Sequence, residues 1–161
     1  MKAVIRRFEA LYMARIAQLT NKSNQFNLTT KRYTQAQNEE AAQNPSCITL
    51  YGKLEGKFGD NGVVTALIGH EAADGQEAGG VPAEKVLHLD LCLMSCRVLK
   101  RDMEYAMMDM LVETCKARGI RRIYGYYYPT AKNGMVRDFY GLQGFEKLRE
   151  NEQETVWQFE I

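Results

Sequence analysis

The stretch from residue 85 to residue 119 constrains the fold most. Residues 85–94 alternate, with Leu87, Leu89, Leu91 and Leu93 on one face and Val86, His88, Asp90, Cys92 and Met94 on the other, which is the period of a strand. A short turn leads into an amphipathic helix expected over residues 102–118, with Met103, Ala106, Met107, Met110, Leu111 and Cys115 as its apolar stripe. Gly119 is the expected left-handed stop, and residues 121–128 read as the next strand, broken by Pro129. Strand, helix and strand in this order predict some parallel pairing.

The flanking segments fill out the pattern. Ile5, Phe8, Leu11, Tyr12, Ile16 and Leu19 recur at helical spacing and predict a helix over residues 2–20. A polar linker covers residues 21–30. Thr34 and Gln37 form a capping-box pair for a second helix, which Pro45 closes. Residues 46–53 and 62–71 are strand-like, with the Gly-Asp-Asn-Gly run at 59–62 as the turn between them. A Gly-, Ala- and Glu-rich loop spans 72–84. A short helix around 135–142 and a closing antiparallel hairpin complete the chain. The expected order is α-α-β-β-β-α-β-α-β-β, an α+β (α/β) domain with a mixed, mostly antiparallel sheet flanked by helices.

The 161 residues suit one domain, read as an N-terminal helical segment (1–45) and a core (46–161). A net charge of +1 advertises neither nucleic acid nor membrane. No apolar run approaches a membrane span, and the charged start of the chain does not read as a signal peptide. Cys47, Cys92, Cys96 and Cys115 lack metal-binding spacing, so no metal is expected; free thiols fit a cytoplasmic protein.

A helix that starts just after a strand offers unpaired N–H groups and a dipole to phosphate. Arg97, Lys100 and Arg101 add positive charge there. The same residues also suit a plain βα unit with a solvated basic turn.

The run Arg101-Asp-Met-Glu104-Tyr-Ala106 resembles the Arg/Gln-x-x-Gly-x-Gly/Ala signature of the GNAT acyltransferase superfamily, with Glu104 in place of the first glycine. Asn133, Phe139-Tyr140 and Gly144-Phe145 resemble that superfamily's downstream pattern. Three longer strings resemble the C-terminal, GNAT-like half of FkbH-like proteins: residues 15–33, which end in Gln25-Phe-Asn-Leu-Thr-Thr-Lys-Arg-Tyr33, then Leu93-Met-Ser-Cys-Arg-Val-Leu99, then Pro129-Thr-Ala-Lys-Asn-Gly-Met-Val-Arg-Asp-Phe-Tyr140. That family is associated with forming glyceryl-acyl-carrier-protein. A HAD-type, phosphatase-like half precedes the half that this chain resembles.

The resemblance implies an acyltransferase acting on a pantetheine thioester, carried by acyl-CoA or by an acyl carrier protein, with a HAD-type domain as a possible partner. Leu93, Ser95, Val98, Leu99, Lys100, Arg101, Asp102 and Met103 would hold the arm and its phosphate, and Asn133 would contact the pantetheine. Tyr140 would protonate the departing thiolate. Asp90 is the candidate base, and His88 lies two residues away on the same strand face. Cys96, near a helix start and beside Arg97, is a candidate transient acyl acceptor. Asn24, Gln25 and Asn27 are candidate pocket amides, although turn-forming amides look the same. Tyr126 and Tyr128 share a strand face. Lys116, Arg118, Arg121 and Arg122 make either a solvated face or a docking patch for an acidic carrier protein. Two further readings stay open: a non-catalytic module that binds a carrier protein, and a stand-alone acetyl-CoA-dependent N-acetyltransferase.

Overall fold

The computed structural model describes residues 2–56, 59–74, 84–95 and 103–161. Its strands are β1 (Lys2–Arg6), β2 (Cys47–Gly56), β3 (Gly59–Asp74), β4 (Glu84–Met94), β5 (Arg122–Tyr127), β6 (Glu146–Glu150) and β7 (Thr155–Glu160). Its helices are α1 (Met13–Lys22), α2 (Gln35–Gln43), α3 (Met103–Ala117) and the single turn α4 (Phe139–Leu142). The strands form one seven-stranded sheet in the order β1-β2-β3-β4-β5-β7-β6. Only the β4–β5 pair is parallel, as the strand-helix-strand spacing implies.

Apolar residues sort onto the two sheet faces. Met13, Ile16 and Leu19 of α1 and Ala41 of α2 pack with Tyr51, Ala66, Ile68, Leu91 and Leu93. Met103, Met107, Met108, Leu111 and Cys115 of α3 pack on the other face with Leu87, Leu89, Cys92, Met94 and Tyr140. The result is a three-layer α-β-α sandwich. The second predicted helix carries the expected capping box, with Thr34 accepting from the Gln37 amide and Gln37 accepting from the Thr34 amide. Gly119 closes α3 at φ +74°.

Four expectations are corrected. Residues 2–6 are an edge strand paired with β2, not the start of a helix, so the N-terminal segment contributes to the sheet. Helix starts only at Met13, after a 3-10 turn at Ala10–Tyr12. Gly59 to Gly62 lie inside β3, not in a turn. On α3, Met108 is buried while Met110 is exposed.

The fourth correction shapes the site. Ile68 pairs with Leu91, but its neighbour Gly69 pairs with Leu89, so Asp90 is an extra residue opposite one step of β3. Such a bulge flips the faces beyond it. Leu87 and Leu89 therefore face α3, whereas Leu91 and Leu93 face α1. The unbroken Leu alternation in the sequence hides this switch.

Candidate active site

β4 and β5 pair at only three positions, Val86 with Arg122, Leu87 with Ile123 and His88 with Tyr124. Beyond His88 they diverge, and residues 26–29 fill the space between them. The Leu28 amide donates to Cys92 O at 3.1 Å, and the Met94 amide donates to Phe26 O at 3.0 Å. Asn27 thereby bridges to Leu93 in antiparallel fashion. On the β5 side the Tyr128 amide donates to Leu28 O at 2.8 Å, while on the β4 side the Thr29 hydroxyl donates to Asp90 O at 2.9 Å. The backbone edge of β4 at residues 90–94 is thus bonded by the chain itself.

Thr30 follows at φ +53°, the one described non-glycine residue with positive φ. A β-branched residue there is strained by roughly 1–3 kcal/mol. The strain is held by Asn27, whose Oδ1 accepts from the Thr30 amide at 2.9 Å. The kink turns the next residue, Lys31, back onto Asp90.

A polar cluster lies on the α1/α2 side of the sheet. The Lys31 ammonium donates to Asp90 Oδ1. Asp90 Oδ2 lies 3.7 Å from His70 Nε2, and His70 Nδ1 lies 3.2 Å from Cys47 Sγ. Cys47 and His70 are cross-strand partners, as are His70 and His88, so pairing register alone brings these groups together. His88 stacks on Tyr124 at 5.1 Å, and its Nδ1 lies 2.7 Å from the Tyr126 hydroxyl.

Burial, reinforced by the Lys31 and His88 charges, lowers the pKa of His70 from its ordinary value. Its imidazole is therefore neutral at neutral pH and free to take a proton. Burial raises the Tyr126 phenol and the Cys47 thiol above their ordinary ranges. Tyr126 thus keeps its proton until a stronger base approaches. The cluster offers a carboxylate, a neutral imidazole behind it and a protonated phenol across the strands. That set can remove a proton from one group and deliver one to another.

A cleft of about 690 Å³ opens at the end of β4, lined by Asn24, Gln25, Phe26, Met94 and Ser95, with Arg15, Lys22 and Lys132 also on its wall. No acidic residue is among its described lining. Two of the three expected pocket amides and Ser95 therefore share one cavity.

The other expected site residues have different positions. Asn27 is fully buried, and its side chain is spent on Ser23 O and the Thr30 amide, so it braces the loop and offers nothing to a pocket. Asn133 is also fully buried. Its Nδ2 donates to Asn27 O and Tyr128 O, and its Oδ1 accepts from the Thr130 amide and the Tyr127 hydroxyl. With every polar atom of its side chain used, it cannot contact a pantetheine arm. The side chains of Leu93 and Met103 are buried in the two cores. Cys96, Arg97, Val98, Leu99, Lys100, Arg101 and Asp102 lie outside the described residues. In the basic cluster, Arg118 pairs with Glu71, Arg122 with Glu84 and Glu160, and Lys116 with Glu113, which neutralises much of that patch.

Tyr140 is corrected most sharply. It is 1 % exposed and packs between Phe139 and Phe145, over Gly125. Burial pushes its phenol well above the ordinary range; its hydroxyl faces the Tyr126 backbone yet completes no hydrogen bond. It cannot meet a thiolate there. Tyr140→Phe is therefore expected to hold or raise stability by up to about 1 kcal/mol, since an unsatisfied hydroxyl is removed. Thermal denaturation of the variant checks this.

Sequence reasoning missed Lys31, His70 and Tyr126 as members of the cluster. His70 carried one usable signal, since it is one of only two histidines in the chain.

No protein-family model matches the chain, and no curated protein sequence matches it significantly. Solved structures do match. Arabidopsis thaliana NAA60 in complex with acetyl-CoA superposes with a TM-score of 0.77 at 10% identity, covering 99% of both chains. The GNAT domain of S. lividans PAT gives 0.70 at 16% identity over 99% of this chain and 90% of that one. Ard1 from Thermoplasma volcanium gives 0.69 at 16% identity over 100% and 99%. The seven-stranded mixed sheet and its flanking helices are the GNAT acetyltransferase fold.

Proposed function

We propose that the chain is an acyltransferase that moves an acyl group from a pantetheine thioester to an amine. The observation that carries this reading is the polar cluster at the divergence of β4 and β5, where the Asp90–His70 pair and the His88–Tyr126 pair are brought together by the cross-strand pairing of His70 with His88. The amine nitrogen attacks the thioester carbonyl, and its proton passes to Asp90 and on towards the neutral His70. The carbon–sulfur bond breaks, and the thiolate takes the Tyr126 proton. Tyr126 thus assumes the role expected of Tyr140. The NAA60 structure with acetyl-CoA supports a coenzyme-A-type donor. The resemblance to FkbH-like proteins supports a carrier-protein arm as donor, with a HAD-type domain as partner. The cationic cleft at Ser95 suits the anionic end of either.

The test is thiol release from acetyl-CoA and from an acyl carrier protein, each with a panel of primary amines. Tyr126→Phe is expected to lower kcat by roughly tenfold to a hundredfold with little change in KM. No release from either donor would sink the catalytic reading. One observation favours a second reading, a module that binds a carrier protein without turnover: residues 26–29 already occupy the strand gap in which an arm would lie. That reading predicts carrier-protein binding with no thiol release.

A further inference from the structure

We infer that Lys31 is itself an acyl acceptor, so that the protein acylates its own chain; this rests on the acyltransferase reading above. Lys31 Nζ already sits where an acceptor amine must sit, hydrogen-bonded to Asp90 Oδ1. Its side chain is 44% exposed, so a thioester can approach the nitrogen from solvent, while Asp90 beneath it is 18% exposed. The proton acceptors are in line behind it, with His70 Nε2 3.7 Å from the second Asp90 oxygen.

The backbone presents Lys31 as a bound peptide would be presented. Residues 26–29 lie strand-like along β4, and Thr30 turns the chain back at φ +53° to aim the side chain at Asp90. The segment has two separate sets of anchors. Phe26 and Leu28 hold Cys92 and Met94, whereas Thr29 and Lys31 hold Asp90. A donor arm that takes over the edge at residues 92–94 therefore leaves Lys31 in its seat. No other described lysine touches Asp90: Lys53 meets Tyr12, Lys85 meets Glu71 and the Arg118 carbonyl, Lys116 meets Glu113 and Lys147 meets Glu150.

The step is a simple aminolysis. The Lys31 ammonium gives one proton to Asp90, which relays it to the neutral His70. The free amine attacks the thioester carbonyl, the attacking nitrogen gives its second proton to the freed Asp90 carboxylate as the amide bond forms, and the carbon–sulfur bond breaks. The departing thiolate takes the Tyr126 proton. Acylation removes the Lys31 charge and with it the ion pair to Asp90, which leaves the carboxylate open to an external cationic amine.

The full chain, incubated with acetyl-CoA and followed by intact mass and peptide mass spectrometry, tests this. One acetyl group is expected at Lys31 ahead of every other lysine, at a rate independent of protein concentration. It should be absent at that position in Lys31→Arg, and slowed on the order of a hundredfold in Asp90→Asn. Thiol release to an external amine with Lys31 unmodified overturns the inference and leaves the acyltransferase reading standing. Equal labelling of all exposed lysines, at the same rate in Asp90→Asn, marks non-enzymatic chemistry and also overturns it. Neither labelling nor thiol release overturns both.

Discussion

Asn133→Ala is expected to destabilise the protein by about 3–5 kcal/mol. The Asn133 side chain ties its own neighbours Tyr127, Tyr128 and Thr130 to Asn27, 106 residues away in the sequence. It donates to Asn27 O at 3.0 Å and to Tyr128 O at 2.9 Å, and it accepts from the Thr130 amide at 2.7 Å and the Tyr127 hydroxyl at 3.3 Å. Alanine would leave these four groups facing an apolar void. Each buried group left unsatisfied costs about 1–3 kcal/mol, partly recovered by relaxation or by a water. The melting temperature should fall by roughly 10 °C for a chain of this size. The loss should be accompanied by early exchange of the Leu28 and Tyr128 amides, because Asn133 fixes the segment they hold. Calorimetry and hydrogen exchange read the two effects. A drop below about 1 kcal/mol would mean that the loop at 26–29 is held by its strand contacts alone.

The fate of Asn133 shows what sequence could and could not reveal. Its place before a Phe-Tyr pair was legible, but its burial was not, because its partners lie up to 106 residues away. Local signals fared better. The Thr34–Gln37 capping box and the Gly119 stop are set by neighbours within a few residues, and both stand in the structure as expected. The edge strand β1 was misread because Lys2–Arg6 owes its extended state to pairing with β2, some fifty residues on, not to its own composition. The bulge at Asp90 left no trace in an unbroken Leu alternation, because it arises from how β3 meets β4.

The candidate site divides the same way. Asp90 and His88 were legible as polar residues on one strand. Their partners Lys31 and Tyr126 lie 59 and 38 residues from them and join through topology. The closure of the β4–β5 gap by residues 26–29 was equally invisible. The loop looked like a polar linker, yet Phe26, Asn27, Leu28 and Thr29 are all buried.

Asp90→Asn is expected to lower kcat/KM for transfer to an amine on the order of a hundredfold, or about 2.7 kcal/mol of transition-state stabilisation. The substitution keeps size and shape, and its amide oxygen can still accept from Lys31. It removes only the negative charge and the ability to take a proton. The fold should hardly register the change, since the lost ion pair is partly exposed and such pairs contribute about 1 kcal/mol or less. Activity and stability should therefore separate, unlike the outcome for Asn133→Ala. The pH profile adds a sign. In the proposed mechanism the neutral form of His70 receives the proton, and its pKa is lowered by burial and by the Lys31 and His88 charges. Wild-type activity should accordingly persist as pH falls through 6.5, the ordinary imidazole value, and be lost only below it. In His70→Asn that limb should move or vanish, while Asp109→Asn, on the exposed face of α3, should behave as wild type. An Asp90→Asn enzyme that keeps its rate within about twofold would place the base elsewhere and turn attention to the other polar group on the strand, His88.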